Sequence, residues 1–344
     1  MPSLELLDRA RLLVVTGKGG TGKTTVAAAL AVAAGLRGRR TLVVEVEGRQ
    51  GLARLFGRRF LDHQERRVAE RVSGLAVDPE ASLREYLGRY GFAPLARLLT
   101  WARLTHFITA AAPGLGDVLL VGKVWEASTR AQGGYDLVVL DAPPTGRVVP
   151  FLRAPQTVAE LARVGPIRHQ AERVRELLDD PERTGIVLAC LPEELPVAET
   201  LEGVASLRAA ALPVASVVAN RVIDDRLGGR AGRLAALARE PAPLAEAARR
   251  AGAELDGRSL AVLLAEARDR QRQVARERRL LRELRAGVGG LPVVELPFLA
   301  GGVGGPGEVR ALAGRLGEVP GDVREPRRDA AGPAGGAARA GAGA

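Results

Sequence analysis

The stretch that decides the fold lies near the start of the chain, where residues 12–25 read LLVVTGKGGTGKTT. An apolar run over 12–16 leads into a glycine-rich loop, and a helical pattern over 24–36 follows. The loop fits the pattern G-x-x-x-x-G-K-[ST], in which glycines let backbone N–H groups approach phosphate oxygens. The helix N-terminus adds partial positive charge at the same place. The order strand, loop, helix therefore predicts a phosphate-binding P-loop.

Each residue of this loop is a candidate for holding the phosphates of a nucleotide. We expect Lys23 to reach the β and γ phosphates and the Thr24 hydroxyl to ligate Mg²⁺. The chain has only three lysines among its 50 Lys and Arg residues, and Lys18 is a second lysine in the loop. The full set of predicted loop contacts is Gly17, Lys18, Gly19, Gly20, Thr21, Gly22, Lys23, Thr24 and Thr25.

The same loop also reads as G-x-G-x-x-G through Gly17, Gly19 and Gly22, which is typical of dinucleotide-binding proteins. A carboxylate at Glu45 or Glu47, a little over 20 residues further on, would suit that alternative. The run Lys23-Thr24-Thr25 and the acidic strand end described next favour the P-loop.

A second half of the site is predicted around Asp141. Residues 135–143 form an apolar run, and Asp141 lies where a buried strand should end. A carboxylate beside the P-loop strand can hold Mg²⁺ through water. Its alternative role is a helix N-cap. With a P-loop present we expect Thr24 and Asp141 to form the metal site.

Apolar runs alternate with helical patterns along most of the chain, which predicts an α/β fold with a doubly wound, mostly parallel sheet. The predicted helices include 24–36 and 196–211. The predicted strands are 12–16, 41–47, 74–78, 135–143, 185–191, 214–221 and 291–297.

We expect one P-loop domain over 1–320 and a disordered tail over 321–344, since the tail has almost no large apolar residue. A helical insertion is predicted at about 79–134 and a further helical segment at about 230–286. Within the latter, 268–285 is rich in Arg and Glu with Val274, Leu281 and Leu284 at near-helical spacing, which indicates an exposed amphipathic helix.

Composition limits the classes of function. A single cysteine, Cys190, excludes a disulfide framework, and the N-terminal acids Glu5 and Asp8 disfavour a signal peptide. No apolar run reaches the roughly 18 residues of a membrane span, so we expect a cytoplasmic protein. The net charge of +10 comes with only 3% aromatic residues, and stacking on single-stranded nucleic acid therefore has few platforms. No specific nucleic-acid partner is expected.

The motif GKGGTGKTT resembles the deviant P-loop of the signature-lysine ATPases, and DAPPTGR (141–147) resembles a switch of their arsenite-pump and tail-anchored-protein-targeting branch. Further segments resemble the same branch over about 10–318. They are GLAVDPEA (74–81), APGL (112–115), LPE (191–193) with Pro196, Val197 and Glu199, and Asn220-Arg221.

The resemblance implies an ATPase that uses ATP and Mg²⁺ and completes its site between two chains, with Lys18 reaching phosphate across the interface. It implies that Lys18 and Lys23 stabilise transferred charge and that Asn220 reads the adenine. It also implies that Pro297 and Phe298 pack against the base and that Glu47, as first-switch carboxylate, orients water. The partner would be a second copy or a paralogous ATPase, and the client an unidentified protein or membrane component.

The chain also departs from this branch. Glu47 stands where the branch has Asp, and Arg147 replaces the switch histidine. One cysteine provides neither a three-thiol arsenite site nor a paired-cysteine zinc clamp, and one methionine provides no Met-rich groove. The resemblance therefore implies the ATPase core, without arsenite transport or tail-anchor delivery.

Two other functions remain open from the sequence. One is a partitioning or septum-site type of ATPase that holds DNA or membrane when ATP is bound, supported by the basic surface. The other is a nucleotide-binding regulatory subunit of a paralogous ATPase, for which the altered first switch leaves room.

Overall fold

The structure is a computed structural model that describes residues 6–77, 82, 115–129, 134–161, 166–225 and 242–317. Its strands are β1 (Leu12–Gly17), β2 (Thr41–Glu45), β3 (Arg66–Ala69), β4 (Val72–Ala76), β5 (Leu137–Asp141), β6 (Thr184–Cys190), β7 (Val214–Val222) and β8 (Val293–Pro297). They form one sheet in the order β3-β4-β2-β5-β1-β6-β7-β8. All neighbouring pairs are parallel except β3–β4. The predicted α/β fold with a mostly parallel sheet is confirmed.

Helices cover both faces of this sheet. They are α1 (Leu6–Arg9), α2 (Lys23–Leu36), α3 (Gly51–Leu55), α4 (Leu115–Thr129), α5 (Thr145–Leu161), α6 (Pro166–Asp179), α7 (Glu194–Ala209), α8 (Ala242–Arg250), α9 (Gly257–Gly287) and α10 (Pro306–Gly317).

The central strand β1 shows how the two layers arise. Leu13 and Val15 are buried in the layer that contains α2 and α10. Leu12 and Val14 are buried in the opposite layer, which contains α4, α5, α6, α7 and α9. Successive side chains of a strand point to opposite faces, so a strand buried on both faces is apolar throughout.

The strand predictions differ from the structure mainly at their ends. β2 ends at Glu45, so Glu47 lies in the loop after the strand, and β5 covers only Leu137–Asp141. The sequence analysis missed β3, an antiparallel edge strand whose two arginines, Arg66 and Arg67, are exposed. A short edge strand has no second apolar face and therefore lacks the pattern of a buried strand.

The predicted helical regions are described in part. Within 79–134 the structure describes Ser82, in a helical conformation, and α4. Within 230–286 it describes α8 and α9, in which Val274, Leu281 and Leu284 of α9 are buried. Leu281 and Leu284 belong to the apolar layer on this face of the sheet. The predicted tail over 321–344 and the APGL segment except for its last residue lie outside the described residues. No helix in the described ranges is both long and apolar enough to cross a membrane.

Candidate nucleotide site

The glycine-rich loop connects β1 to α2 and depends on glycine at both ends. Gly17 has a φ of 149°, and a Cβ placed there would lie 2.3 Å from the carbonyl oxygen of Ala189. Gly22 caps α2 in the left-handed conformation, with a φ of 86° and no side-chain hydrogen bond to the first turn. The N–H groups that begin α2 are therefore left for an anion, which is how P-loops bind phosphate.

Lys23 is the first residue of α2, and the Thr21 hydroxyl donates a hydrogen bond of 2.8 Å to the carbonyl oxygen of Lys18. Lys23 is largely buried, with 8% of its surface exposed. A long cationic side chain that is held this close to a loop of backbone N–H groups completes the environment that a phosphate prefers. The predicted loop contacts are thus assembled in one place, and their binding of nucleotide stays a prediction.

Asn220 lies on β7 and supports the loop from the side. Its Nδ2 donates a hydrogen bond of 2.9 Å to the carbonyl oxygen of Thr21, and its Oδ1 accepts one of 3.0 Å from the N–H of Arg221. A Cβ at Gly22 would lie 2.3 Å from the same Nδ2. Asn220 therefore has a structural contact that the sequence analysis did not predict. Its reading of adenine stays a prediction, for which one amide hydrogen remains.

Thr24 and Asp141 meet as predicted. The Thr24 hydroxyl donates a hydrogen bond of 2.7 Å to Asp141 Oδ2, while Asp141 Oδ1 is buried and accepts no hydrogen bond from the residues that the structure describes. Burial raises the pKa of Asp141 to about 7, the Thr24 hydrogen bond acts in the opposite direction, and the neighbouring Glu45 raises it further. A buried carboxylate with an unused oxygen beside a threonine hydroxyl fits the ligand chemistry of Mg²⁺.

Glu45 ends β2 directly beside Asp141 on β5. Its Oε2 accepts a hydrogen bond of 2.9 Å from the N–H of Leu52 in α3, and its Oε1 is buried without a hydrogen bond from the described part of the chain. From the sequence, Glu45 was considered as the acid of the dinucleotide-binding alternative, and it lies two residues inside the strand predicted over 41–47. Its position at the end of β2 is a finding of the structure.

Glu47 lies in the loop after β2, and its side chain is 20% exposed. Arg49 Nε is 3.6 Å from Glu47 Oε2. Glu47 also lines a pocket of about 350 Å³ that it shares with Asp117, Arg147 and Phe151 of helices α4 and α5. Glu47 is thus more accessible than Glu45, as a group that handles water must be.

Arg147 connects the second predicted switch to helix α4. Its Nη2 is 3.7 Å from Asp117 Oδ1, and burial raises the pKa of Asp117 while Arg147 opposes that change. Arg147 replaces a histidine of the branch that the sequence resembles. Asp117 was not predicted, because it lies 30 residues before Arg147 in a segment without a chemical motif.

Lys18 forms an ion pair with Glu199 of α7 within the same chain. The Lys18 side chain is 53% exposed and that of Glu199 is 20% exposed. Among the described residues, none donates a hydrogen bond to the buried Glu199 Oε2. The lysine therefore lies at the surface beside the loop, where a second chain can approach it.

Pro297 and Phe298 lie near the end of β7, since Pro297 pairs with Val222 and the N–H of Phe298 donates to the Val222 carbonyl oxygen at 2.8 Å. Phe298 is 46% exposed. Both residues therefore lie beside β7, the strand that carries Asn220. Their packing against a base stays a prediction.

Cys190 ends β6 and is buried. Its thiol lies 3.2 Å from the carbonyl oxygen of Leu191 and 3.6 Å from that of Pro196. Burial raises the pKa of Cys190 to about 11, although a hydrogen bond with Thr200 acts in the opposite direction. A protonated, buried thiol is a poor ligand for a soft metalloid.

Comparison with known proteins gives a consistent result. The model of the anion-transporting ATPase family matches residues 10–170 and 160–234. ATPase BagA of Mycobacterium tuberculosis is 40% identical over 320 residues, which cover 86% of this chain and 90% of that protein. ATPase GET3 of Candida glabrata is 26% identical over 265 residues, covering 65% of this chain and 75% of its own length. ATPase GET3 of Kluyveromyces lactis is 25% identical over 253 residues, covering 62% and 72%. These matches do not support the dinucleotide, partitioning or regulatory-subunit alternatives.

Proposed function

The chain belongs to the anion-transporting ATPase family and is an ATPase, and on this basis we propose that it is a Mg²⁺-dependent switch that acts as a dimer. The observation that carries the proposal is the loop from Gly17 to Gly22 with the hydrogen-bonded pair Thr24–Asp141 beside it. These residues would hold the triphosphate and its cation at the carboxyl ends of β1 and β5, where open α/β sheets bind ligands.

The predicted cation site fits Mg²⁺. Asp141 Oδ1 is a buried carboxylate oxygen that accepts no hydrogen bond within the described ranges, and Thr24 Oγ1 lies 2.7 Å from the other oxygen of the same group. Thr24 would contact the cation directly and Asp141 would hold it through water. When bound, Mg²⁺ neutralises charge on the β and γ phosphates and orients them for attack by water.

The chain's own residues would divide the remaining work. Lys23, buried at the start of α2, stabilises negative charge that develops on the transferred phosphoryl group. Glu47, in the loop after β2, orients the attacking water and accepts its proton, because its carboxylate is partly exposed. Asn220 fixes the loop through Thr21 and contributes its remaining amide hydrogen to the base, beside Pro297 and Phe298.

The exposed position of Lys18 supports the proposed dimer. This side chain is half exposed and contacts Glu199 of its own chain. We place its functional contact on the nucleotide of a second chain, either an identical copy or a paralogue. ATP would favour the paired state because it contacts both chains, and hydrolysis would release it.

The contact between Arg147 and Asp117 would couple the nucleotide state to the part of the protein that holds the client. Arg147 is the last residue of the predicted second switch (141–147) and lies in the first turn of α5. Asp117 belongs to α4 in the predicted insertion. A movement of the switch on hydrolysis would change this contact. The client would be a protein or membrane component held by the insertion. We do not assign arsenite to it, because Cys190 is buried and protonated.

A steady-state ATPase assay with and without Mg²⁺ tests this proposal, using Lys23→Ala as the matched variant. We expect turnover that requires Mg²⁺ and is lost in Lys23→Ala, while the thermal unfolding of the nucleotide-free variant stays cooperative. Equal turnover in Lys23→Ala, or turnover that does not depend on Mg²⁺, would contradict the proposed site.

A further inference from the structure

Two buried carboxylates lie side by side where β2 and β5 end. Glu45 and Asp141 are register partners on neighbouring parallel strands, which run about 4.8 Å apart. Glu45 is 2% exposed and Asp141 is 7% exposed. Each carboxylate uses one oxygen for a hydrogen bond within the chain, Glu45 with the N–H of Leu52 and Asp141 with the hydroxyl of Thr24.

The other oxygen of each carboxylate has no donor. Glu45 Oε1 and Asp141 Oδ1 are both buried and accept no hydrogen bond from the described residues. Leaving a buried acceptor unsatisfied costs about 1–3 kcal/mol, and more when the group is charged. Two such oxygens at neighbouring strand ends indicate that donors other than the described residues complete the pair.

Hydrated Mg²⁺ supplies donors of this kind. In nucleotide sites the ion keeps several of its waters, and those waters donate hydrogen bonds to carboxylates. We propose that Glu45 is a positioning residue of the cation site, where it and Asp141 accept hydrogen bonds from water bound to the nucleotide's Mg²⁺. This inference rests on the proposed function and adds a residue to it.

The proposal separates the roles of the two acids that end the β2 region. Glu45 has one oxygen committed to Leu52 and is buried, so it is poorly placed to accept a proton from an attacking water. Glu47 is more exposed and lies beside a pocket of about 350 Å³. Glu45 therefore positions the water bound to the cation, whereas Glu47 orients the attacking water.

Glu45 also joins the cation to the first switch. Leu52 is the second residue of α3, and a Cβ placed on the first residue, Gly51, would lie 2.9 Å from Thr24 Cγ2. The start of α3 is thus in contact with Thr24 and hydrogen-bonded to Glu45. Binding of the cation to Thr24, with its water hydrogen-bonded to Glu45, would fix the loop between β2 and α3 that carries Glu47.

The test measures binding of Mn²⁺, a paramagnetic substitute for Mg²⁺, to the full chain in the presence of ADP, by electron paramagnetic resonance. ADP excludes turnover from the readout. The variant is Glu45→Gln, whose carbonyl oxygen can still accept from Leu52. Glu277→Gln is the matched control, since Glu277 is a buried carboxylate on α9 that accepts the N–H of Ile223 at 2.8 Å.

We expect Glu45→Gln to weaken Mn²⁺ binding by about 10–100-fold, the usual effect of removing an outer-shell partner. Asp141→Asn should weaken it at least as much, and Glu277→Gln should leave it within about twofold of the wild type. Metal-free ADP should bind Glu45→Gln as tightly as the wild type or more tightly, because the variant removes a negative charge near the phosphates.

Two results would overturn the inference. One is Mn²⁺ binding by Glu45→Gln equal to that of the wild type. The other is loss of metal-free ADP binding in Glu45→Gln, which would give Glu45 a purely structural role. Thermal unfolding of the nucleotide-free variants identifies any general loss of folding. If the wild type itself binds neither ADP nor Mn²⁺, the proposed function fails instead.

Discussion

Lys18 of the phosphate loop and Glu199 of helix α7 form an ion pair within one chain, although they are 181 residues apart in sequence. In a single chain, the Lys18 ammonium group already has Glu199 as its ion-pair partner. In the proposed dimer, a lysine that serves a second chain would have to leave this partner. The contact with Glu199 would therefore oppose the proposed dimerisation to the extent that it stabilises the single chain.

Replacing Glu199 by Gln should favour the dimer. An ion pair with one half-exposed partner contributes about 0–1 kcal/mol, which is up to about fivefold for each chain. A dimer of two identical chains would break two such pairs, so we expect its nucleotide-dependent association to tighten by up to about 30-fold. The measurement is sedimentation equilibrium with ATP and Mg²⁺ in a Glu47→Gln background that slows hydrolysis. Weaker association in Glu199→Gln would mean that Glu199 supports Lys18 in the dimer.

Glu47→Gln should retain nucleotide binding and lose about 10²–10⁴-fold in turnover, because an amide cannot accept the proton of the attacking water. Excess Mg²⁺ provides the control. Raising the Mg²⁺ concentration should restore turnover in Glu45→Gln, whose defect lies in cation binding, and should not restore it in Glu47→Gln. The opposite pattern would mean that the first-switch acid is Glu45.

Gly20 and Gly22 have similar φ values, but their replacement by alanine should lower the stability of the protein by different amounts. Gly20 (φ 88°) has open space around a Cβ, whereas a Cβ at Gly22 (φ 86°) would lie 2.3 Å from Asn220 Nδ2. Gly20→Ala should lower the free energy of unfolding of the nucleotide-free protein by about 1–3 kcal/mol through backbone strain alone.

Gly22→Ala should lower it further, because it also displaces the amide that holds Thr21. Denaturant unfolding measures both variants. Equal losses in the two variants would show that Asn220 does not constrain the loop.

Cys190 should be unreactive in the native protein. Burial raises the pKa of its thiol to about 11, so at pH 8 the thiol is protonated and little thiolate is present. Iodoacetamide should therefore label the folded protein far more slowly than the protein unfolded in guanidinium. Arsenite should not stimulate the ATPase. Stimulation by arsenite that disappears in Cys190→Ser would contradict this.

Local sequence was sufficient to predict the family, the sheet and much of the candidate site. The P-loop and Asp141 belong to contiguous motifs, and their strands are apolar because they are buried on both faces. Strand ends were less accurate. Residues after Glu45 and Asp141 continue the apolar pattern although they leave the hydrogen-bonded ladder.

The contacts that join distant segments could not be predicted. Glu199 reaches Lys18, Asn220 reaches Thr21, and Asp117 reaches Arg147 only because the sheet order brings different loops together. Glu45 lies inside the strand predicted over 41–47, so its position at the end of β2 was not predicted either. Its unsatisfied oxygen became apparent only with the burial and hydrogen bonds of the folded chain.

Light scattering of the Glu47→Gln protein with and without ATP and Mg²⁺ tests the central claim that two chains complete the nucleotide site. We predict a mass of about twice the 36.2 kDa chain with nucleotide and of one chain without it, with Lys18→Ala reducing both the dimer and the turnover of the otherwise wild-type protein. A protein that stays monomeric with ATP, hydrolyses it at a specific rate independent of protein concentration, and is unaffected by Lys18→Ala would contradict the claim.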